Sequence, residues 1–275
     1  MNRSMINAAN TMNGLQQQLD LISHNVSNSS TVGYKRQEAN FNSLLYQQFA
    51  IPVDDTRGNE GRKTPSGIRE GVGAMLDHTS TNNELGSLTT TKRDLDVALS
   101  KKGYFFTIST KDGIKYTRDG AFNLSQVDEN SIVLVTGDGN PVLDENGETI
   151  VIPSNYQKIS FTSQGELAVY GEEETVPLNV YDLGIAYAQN PALLMRDGDN
   201  LFSAPAEQGI ENPMLINIRG QERSQIGLEQ GVLEQSNVNI GNELANMLNA
   251  QRAYQFNAKS ITLSDQMLGL INTMR

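Results

Sequence analysis

Apolar residues recur every seven positions at the start of the chain. Met5, Met12, Leu19 and Val26 form one row, and Ala8, Leu15 and Ile22 each follow three residues behind. That 3-4 alternation predicts an amphipathic helix with a coiled-coil-like a/d seam. Only Gly14 interrupts it, and the run Ser27-Asn28-Ser29-Ser30, with Gly33 beyond, is a stop signal. The far end repeats the pattern. Ile240, Met247, Tyr254, Ile261 and Leu268 are spaced by seven; Leu244, Leu248, Ala258 and Ile271 widen the stripe, while Gln251 and Asp265 interrupt it. Ser236, Asn237 and Asn239 are good caps before this second helix, and Glu243 suits its first turn.

Between the two helices the period changes. Val97–Leu99, Tyr104–Ser109, Ile114–Arg118, Ile132–Thr136, Thr149–Ile152, Ile159–Phe161, Leu167–Val169 and Val176–Leu183 are β-branched or aromatic runs of strand length. Asp112-Gly113, Asp119-Gly120, Gly137-Asp138-Gly139, Asn146-Gly147 and Gln164-Gly165 separate them. Asp-Gly and Asn-Gly between such runs signal hairpins, so the middle reads as an antiparallel sandwich or barrel-like domain over about Leu95 to Phe202. Residues 46–75, rich in Gly, Pro and charge, read as an extended arm. The fold class expected is α+β: terminal helices that pair as a coiled-coil-like module, a central all-β domain and extended connecting arms.

Charge sharpens this division. The chain of 275 residues carries a net charge of −11. From Asp94 to Glu211 there are 19 acidic and 7 basic residues, a net of −12, against +1 for all the rest. An acidic centre and nearly uncharged ends argue against nucleic-acid binding, which needs a basic surface. The helices carry amides where free surface helices carry Glu and Lys, as in Gln16-Gln17-Gln18 and Asn246 to Asn249. Pairing of the two helices inside one globular domain would account for the seams alone. The amide-rich backs instead suit helices packed against copies of themselves, because uncharged hydrogen bonds cost less desolvation than ions.

Catalytic and metal chemistry finds little support. The chain has no Cys and only two His, His24 and His78, which removes thiol catalysis and leaves almost no imidazole for zinc. No phosphate-binding glycine loop, zinc-protease helix or nucleophile elbow is present. Asp94/Asp96 and Asp197/Asp199 lie beside turn signals, where Asp serves backbone amides, and Asp138, Asp144, Glu145 and Glu148 lack EF-hand spacing. The chain is therefore expected not to be an enzyme and to hold no metal or cofactor. No apolar run approaches membrane-spanning length, and Met1-Asn2-Arg3-Ser4 lacks the apolar block of a cleavable signal peptide.

Three blocks carry a resemblance. Leu21-Ile-Ser-His24-Asn25-Val26-Ser-Asn28-Ser-Ser-Thr31-Val-Gly33-Tyr34-Lys35-Arg36 resembles the N-terminal signature of bacterial flagellar rod and hook proteins. Asp94-Leu95-Asp96-Val-Ala98, leading through Gly103-Tyr-Phe-Phe to Tyr116-Thr117-Arg118-x-Gly120-x-Phe122, is similar to a central block of that family. Gly231-Val-Leu-Glu-Gln-Ser236-Asn237-Val238-Asn239 and Leu248-x-x-Gln251-Arg252-Ala253-Tyr254-Gln-x-Asn257-Ala258-Lys259 resemble its C-terminal signature. Pro65-Ser66-Gly67-Ile-x-x-Gly71-Val-Gly73 is most like the distal-rod type, whereas His24 stands where the family often has Asn, as in a diverged rod paralogue.

The resemblance implies a structural subunit of the flagellar basal-body rod, the axial drive shaft that carries torque to the hook. Hook-type, cap or scaffold proteins of the same family are the alternative, with a secreted acidic carbohydrate-binding β-protein a remote one. The implied partners are copies of the chain in a helical assembly, other rod and hook proteins and the flagellar export apparatus. The implied location is the basal body, reached without a cleavable signal peptide. Expected divisions are 1–33 for the first axial helix, 34–93 for an arm, 94–211 for the β-domain, 212–235 for a return linker and 236–275 for the last helix. Met5, Met12, Leu15, Leu19, Ile22 and Val26 are expected to pack on Ile240, Leu244, Met247, Tyr254, Ile261 and Leu268. Asn25, Asn28, Thr31, Gly33 and Tyr34 would shape the exit from the first helix, and Ser236, Asn237, Val238 and Asn239 the entry to the last, with Gln251, Arg252 and Asn257 among the assembly contacts.

Overall fold

The computed structural model describes residues 2–43, 47–49, 68–70, 74–171, 176–198, 200–204 and 215–274. The expected arm at 46–75 and the distal-rod-like segment at 65–73 lie largely outside the described residues, as do Glu172–Glu174 and Asp199.

Helices α1 (Asn2–Ser27) and α2 (Ile240–Thr273) hold the two ends. Between them run β1 (Gln37–Ser43), β2 (Gln47–Phe49), β3 (Ile68–Glu70), β4 (Ala74–Thr81), β5 (Leu88–Thr90), β6 (Val97–Leu99), β7 (Tyr104–Thr110) and β8 (Gly113–Thr117). There follow β9 (Asn123–Asp128), β10 (Ser131–Val135), β11 (Val151–Pro153), β12 (Lys158–Phe161), β13 (Glu166–Tyr170), β14 (Pro177–Asp182) and β15 (Ile185–Ala188). A short 3-10 turn, η1 (Pro191–Leu193), leads to β16 (Met195–Arg196), β17 (Leu201–Ser203) and β18 (Leu215–Asn217). The turn η2 (Gly220–Gln225) precedes β19 (Leu228–Gln230) and β20 (Val232–Glu234). The α+β class is thus as expected.

The chain divides into two compact units. One comprises Met1–His24, Gln37–Ser80 and Gly241–Arg275; the other comprises Asn25–Arg36 and Thr81–Ile240. In the first unit, α1 presents one apolar row. Ala8 and Ile22 are buried and Met5, Met12, Leu15 and Leu19 half-buried, while Ser4, Asn13, Gln16, Gln17 and Asp20 face solvent. Helix α2 is less simple. Met247, Tyr254, Ile261 and Leu268 form a half-buried row, interleaved with buried Glu243, Ala250 and Ser264 and half-buried Asn257. Ile240, Leu244, Leu248 and Ile271, which the sevenfold count assigns to the same stripe, are exposed instead. Leu244 is one residue, and hence about 100° of helix rotation, from the buried Glu243.

A second correction concerns the back of α2. It is not uniformly polar: Phe256, Leu263, Met267, Leu270 and Met274 are exposed, Phe256 by 78 %. With Ser260 these positions make a 4-3-4-3-4 series of their own, so α2 carries two seams on different faces.

The second unit is the β-body. Its largest sheet runs β16-β17-β8-β7-β15-β18, flanked by the three-stranded sheets β11-β10-β9 and β12-β13-β14. Strand β7 is central and covered on both faces. Phe106 meets Phe122 edge-on, with ring centroids 5.2 Å apart, inside the main core with Val97, Leu99, Ile108, Leu134 and Leu167. Phe105 turns the other way, 5.4 Å from Phe202, in a smaller cluster with Ala188 and Leu194. Burial on both sides is why Tyr104–Phe106 is a continuous aromatic run rather than an alternating one.

Residues 212–235 are more than a return linker. β18 adds to β15, β19 pairs with β6 and β20 pairs with β5. η2 buries Arg223, whose Nη2 donates to the carbonyls of Gly165 at 2.8 Å and Leu183 at 3.2 Å. The body therefore extends well past the expected 94–211 on both sides.

Candidate assembly site

The segment that leaves α1 and the segment that enters α2 meet within the β-body. After α1 the chain turns at once: the Ser29 amide donates to the Val26 carbonyl at 3.2 Å, and the Thr31 hydroxyl donates to Asn28 Oδ1 at 3.0 Å. Gly33 then takes φ +69°. A Cβ there would sit 2.6 Å from the Asp119 nitrogen, so glycine is required by both torsion and space. The Gly33 amide donates to the Glu234 carbonyl at 2.9 Å, and the Tyr34 hydroxyl donates to Asn25 Oδ1 at 3.0 Å, with both residues fully buried. The Arg196 guanidinium lies 4.2 Å over the Tyr34 ring while its Nη1 donates to the Lys35 carbonyl at 3.0 Å.

The entry to α2 is tied to the same place. Asn237 Oδ1 accepts the Arg36 amide at 2.7 Å, and its Nδ2 donates to the carbonyls of Asn82 and Glu84 at 2.9 and 3.0 Å. The Ser236 hydroxyl accepts the Val238 amide at 3.3 Å, and Asn239 is the exposed residue just ahead of α2. Asn25, Asn28, Thr31, Gly33, Tyr34, Ser236, Asn237 and Val238 are thus brought into one collar. Gln251 and Arg252 lie apart on exposed positions of α2, and the Asn257 amide donates to its own helix at Ala253.

At the centre of the collar is an ion cluster that sequence reasoning did not single out. The Glu234 carboxylate accepts Lys35 Nζ at 2.5 Å and the Gly86 amide at 2.9 Å on one oxygen. On the other it accepts Arg118 Nε at 2.9 Å and Nη2 at 2.7 Å. Arg118 spends its remaining donors on the carbonyls of Leu99, Lys101 and Tyr104 at 2.7–2.9 Å. Lys35 also donates to the Glu84 carbonyl at 2.6 Å. The side chains of Lys35, Arg118 and Glu234 are only 2 %, 2 % and 1 % exposed. Burial pushes Lys35 down to about 8 despite the neighbouring carboxylate. Burial acts to raise Glu234, but Arg118 and Lys35 outweigh it and hold the carboxyl below its ordinary range. One member comes from each of the three sequence blocks. The signal available was a charge within each block; what it lacked was any hint that residues 199 apart would meet.

Asp119 abuts this collar. Its oxygens accept the Ala121 amide and Asn200 Nδ2, each at 3.0 Å. Burial, with Asp138 and Asp96 adding repulsion, pushes its carboxyl up to about 6. The folded chain therefore holds this proton more tightly than the unfolded chain, and the group costs stability as pH rises from about 4 through 6. Asp119→Asn should accordingly gain on the wild type between pH 5 and pH 7, by on the order of 1 kcal/mol. Urea midpoints of both proteins at the two pH values measure this; an equal difference at both would refute it.

Among the described residues no cluster of His, Asp and Glu has the makings of a metal site, and no helix is long and apolar enough to cross a membrane. The collar joins chain segments rather than exposing reactive groups.

Comparison with known proteins gives this arrangement a lineage. Residues 5–35 match the family described as flagella basal body rod protein. Residues 98–169 match the D1 domain of flagellar hook protein FlgE/F/G, and 229–274 the C-terminal region of flagellar basal body rod FlgEFG protein. The chain is 41 % identical over 276 aligned residues to the flagellar hook-basal body complex protein FlhP of Bacillus subtilis, covering 99 % of each. It is 37 % identical to the flagellar basal-body rod protein FlgG of Buchnera aphidicola from Acyrthosiphon pisum over 91 % of each chain. It is 33 % identical to FlgG of Borreliella burgdorferi over 100 % of this chain and 99 % of that one. With its two signatures joined in the collar and its likeness running end to end, the chain belongs to the flagellar basal-body rod protein family.

Proposed function

We propose that this chain is a structural subunit of the flagellar basal-body rod, built to assemble with copies of itself and with other axial flagellar proteins. The observation that carries the reading is the pair of apolar rows on α2. The row at Met247, Tyr254, Ile261 and Leu268 is half-buried. A second row at Phe256, Leu263, Met267, Leu270 and Met274 is left in water unless another subunit covers it. A contact between unlike faces that does not close generates a helical assembly. End-to-end similarity to rod proteins favours this over a hook-type or cap protein.

In this reading α1 pairs with α2 through Met5, Met12, Leu15, Leu19, Ile22 and Val26 against Met247, Tyr254, Ile261 and Leu268. The collar ties the segment after α1 to the segment before α2 within the β-body, through Gly33 on Glu234 and Arg36 on Asn237. The chain reaches the basal body through the flagellar export apparatus.

Isolated amphipathic helices are marginal in water. The dilute subunit is therefore expected to show much less helix than its polymer, with both helices ordering on assembly. Far-ultraviolet circular dichroism across a concentration series, with sedimentation and electron microscopy of the same samples, tests both points. Full helix content in a monodisperse monomer would remove the coupling. Small closed rings in place of axial rods would favour a cap.

A further inference from the structure

The β-body carries two apolar edges on different sheets. The first is β14, an edge strand of the β12-β13-β14 sheet among the described residues. Leu178 and Val180 project from one face of it, Val176 precedes it, and all three are exposed. Tyr181 on the opposite face packs against the core and donates its hydroxyl to the Val151 carbonyl. Leu178 is seated rather than free: a Cβ on Gly171 would lie 2.8 Å from its Cδ1. The second edge is η1 with β16, at one end of the six-stranded sheet, where Leu193 and Met195 are exposed.

Exposed edge strands are normally blunted by lysine or another charge. Here charge stands only at the ends, Asp182 closing β14 and Arg196 closing β16, with Pro177 at the start of β14. Residues 176–181 and 183–195 contain no Asp, Glu, Lys or Arg, on a body whose 94–211 span is otherwise net −12. Copies of so acidic a body repel one another except where they meet on uncharged surface. A head-to-tail contact needs two unlike patches on one subunit, whereas a two-fold dimer needs only one.

We infer that β14 of one copy docks on the η1–β16 edge of the next, giving the bodies a contact of their own in addition to that of the terminal helices. The inference rests on the self-assembly proposed above. It concerns the β-body, for which the helix seams make no provision.

The absence of native cysteine makes the test clean. Val180 and Met195 are 54 % and 60 % exposed, so Val180→Cys and Met195→Cys should leave the fold intact. The full-length double variant is assembled, treated with a short bismaleimide and run on a denaturing gel. A ladder of covalent oligomers is expected, with none from either single variant. Dimers from Val180→Cys alone would overturn the proposal in favour of two-fold pairing of β14. A pelleting polymer of the double variant that yields only monomer on the gel would overturn it while leaving self-assembly standing. Failure of the cysteine-free parent to pellet would sink the assembly reading, and this inference with it.

Discussion

Glu234→Ala is expected to be the most damaging single substitution in the β-body. It removes the carboxylate that neutralises Lys35 and Arg118 and accepts the Gly86 amide. Two cations would then share a nearly solvent-free site with only carbonyl oxygens for company. Breaking a buried ion pair from one side costs about 3–5 kcal/mol, because the remaining charge has lost both partner and water. That is a large part of the 5–15 kcal/mol by which a domain is ordinarily stable. The body's thermal midpoint should fall by on the order of 10 °C, read from near-ultraviolet tyrosine dichroism. Glu234→Gln keeps the shape and an acceptor oxygen and should fall between the two. Wild-type midpoints in both variants would show that the cluster contributes nothing to the fold. The collar should fail with the body, because the same residue's backbone carbonyl receives the Gly33 amide.

The second large effect separates assembly from folding. Leu19→Asp with Ile22→Asp places two carboxylates on the apolar row of α1, where Ile22 is buried and Leu19 half-buried. A carboxylate on an apolar face must stay in water or give up its charge, and either prevents that face from closing. Both residues belong to the compact unit of the terminal helices, not to the β-body. The expected result is loss of pelleting polymer with an unchanged melting transition of the body. Rods of normal length from this variant would remove the seam from the assembly mechanism. Loss of the body's transition as well would show that the two units do not fold independently. Together the two experiments sort residues that build the body from residues that join copies.

The helices and eight of the twenty described strands were legible because their signals are local. Sevenfold spacing identified α1 and α2, and Val97–Leu99 coincides with β6 residue for residue. Hairpin signals between apolar runs placed seven further strands of the body, β7, β8 and β10 to β14, to within two residues, and left β5, β9, β15, β16 and β17 unread. Residues 215–217, 228–230 and 232–234 were missed because they are short and pair with strands more than a hundred residues away or, for β18, with β15 beyond η1, β16 and β17. Nothing in their own composition announces that pairing. The exposed row of α2 was missed for another reason: Phe256, Leu263, Met267, Leu270 and Met274 fall outside the sevenfold stripe, on the side read as an amide-rich back.

By itself, the sequence determined where helix gives way to strand, that the acidity belongs to the centre, and that the three blocks resemble those of axial flagellar proteins. Period, turn chemistry and charge are properties of neighbouring residues, and neighbours are what a sequence lists in order. Only the tertiary structure decided that Lys35, Arg118 and Glu234 form one buried cluster, that the supposed return linker is part of the body, and which face of α2 is left open. These depend on which distant segments share a volume from which water has been excluded. A charge that is unremarkable on a linear chain becomes, once buried, a group that must find its partner or break the fold.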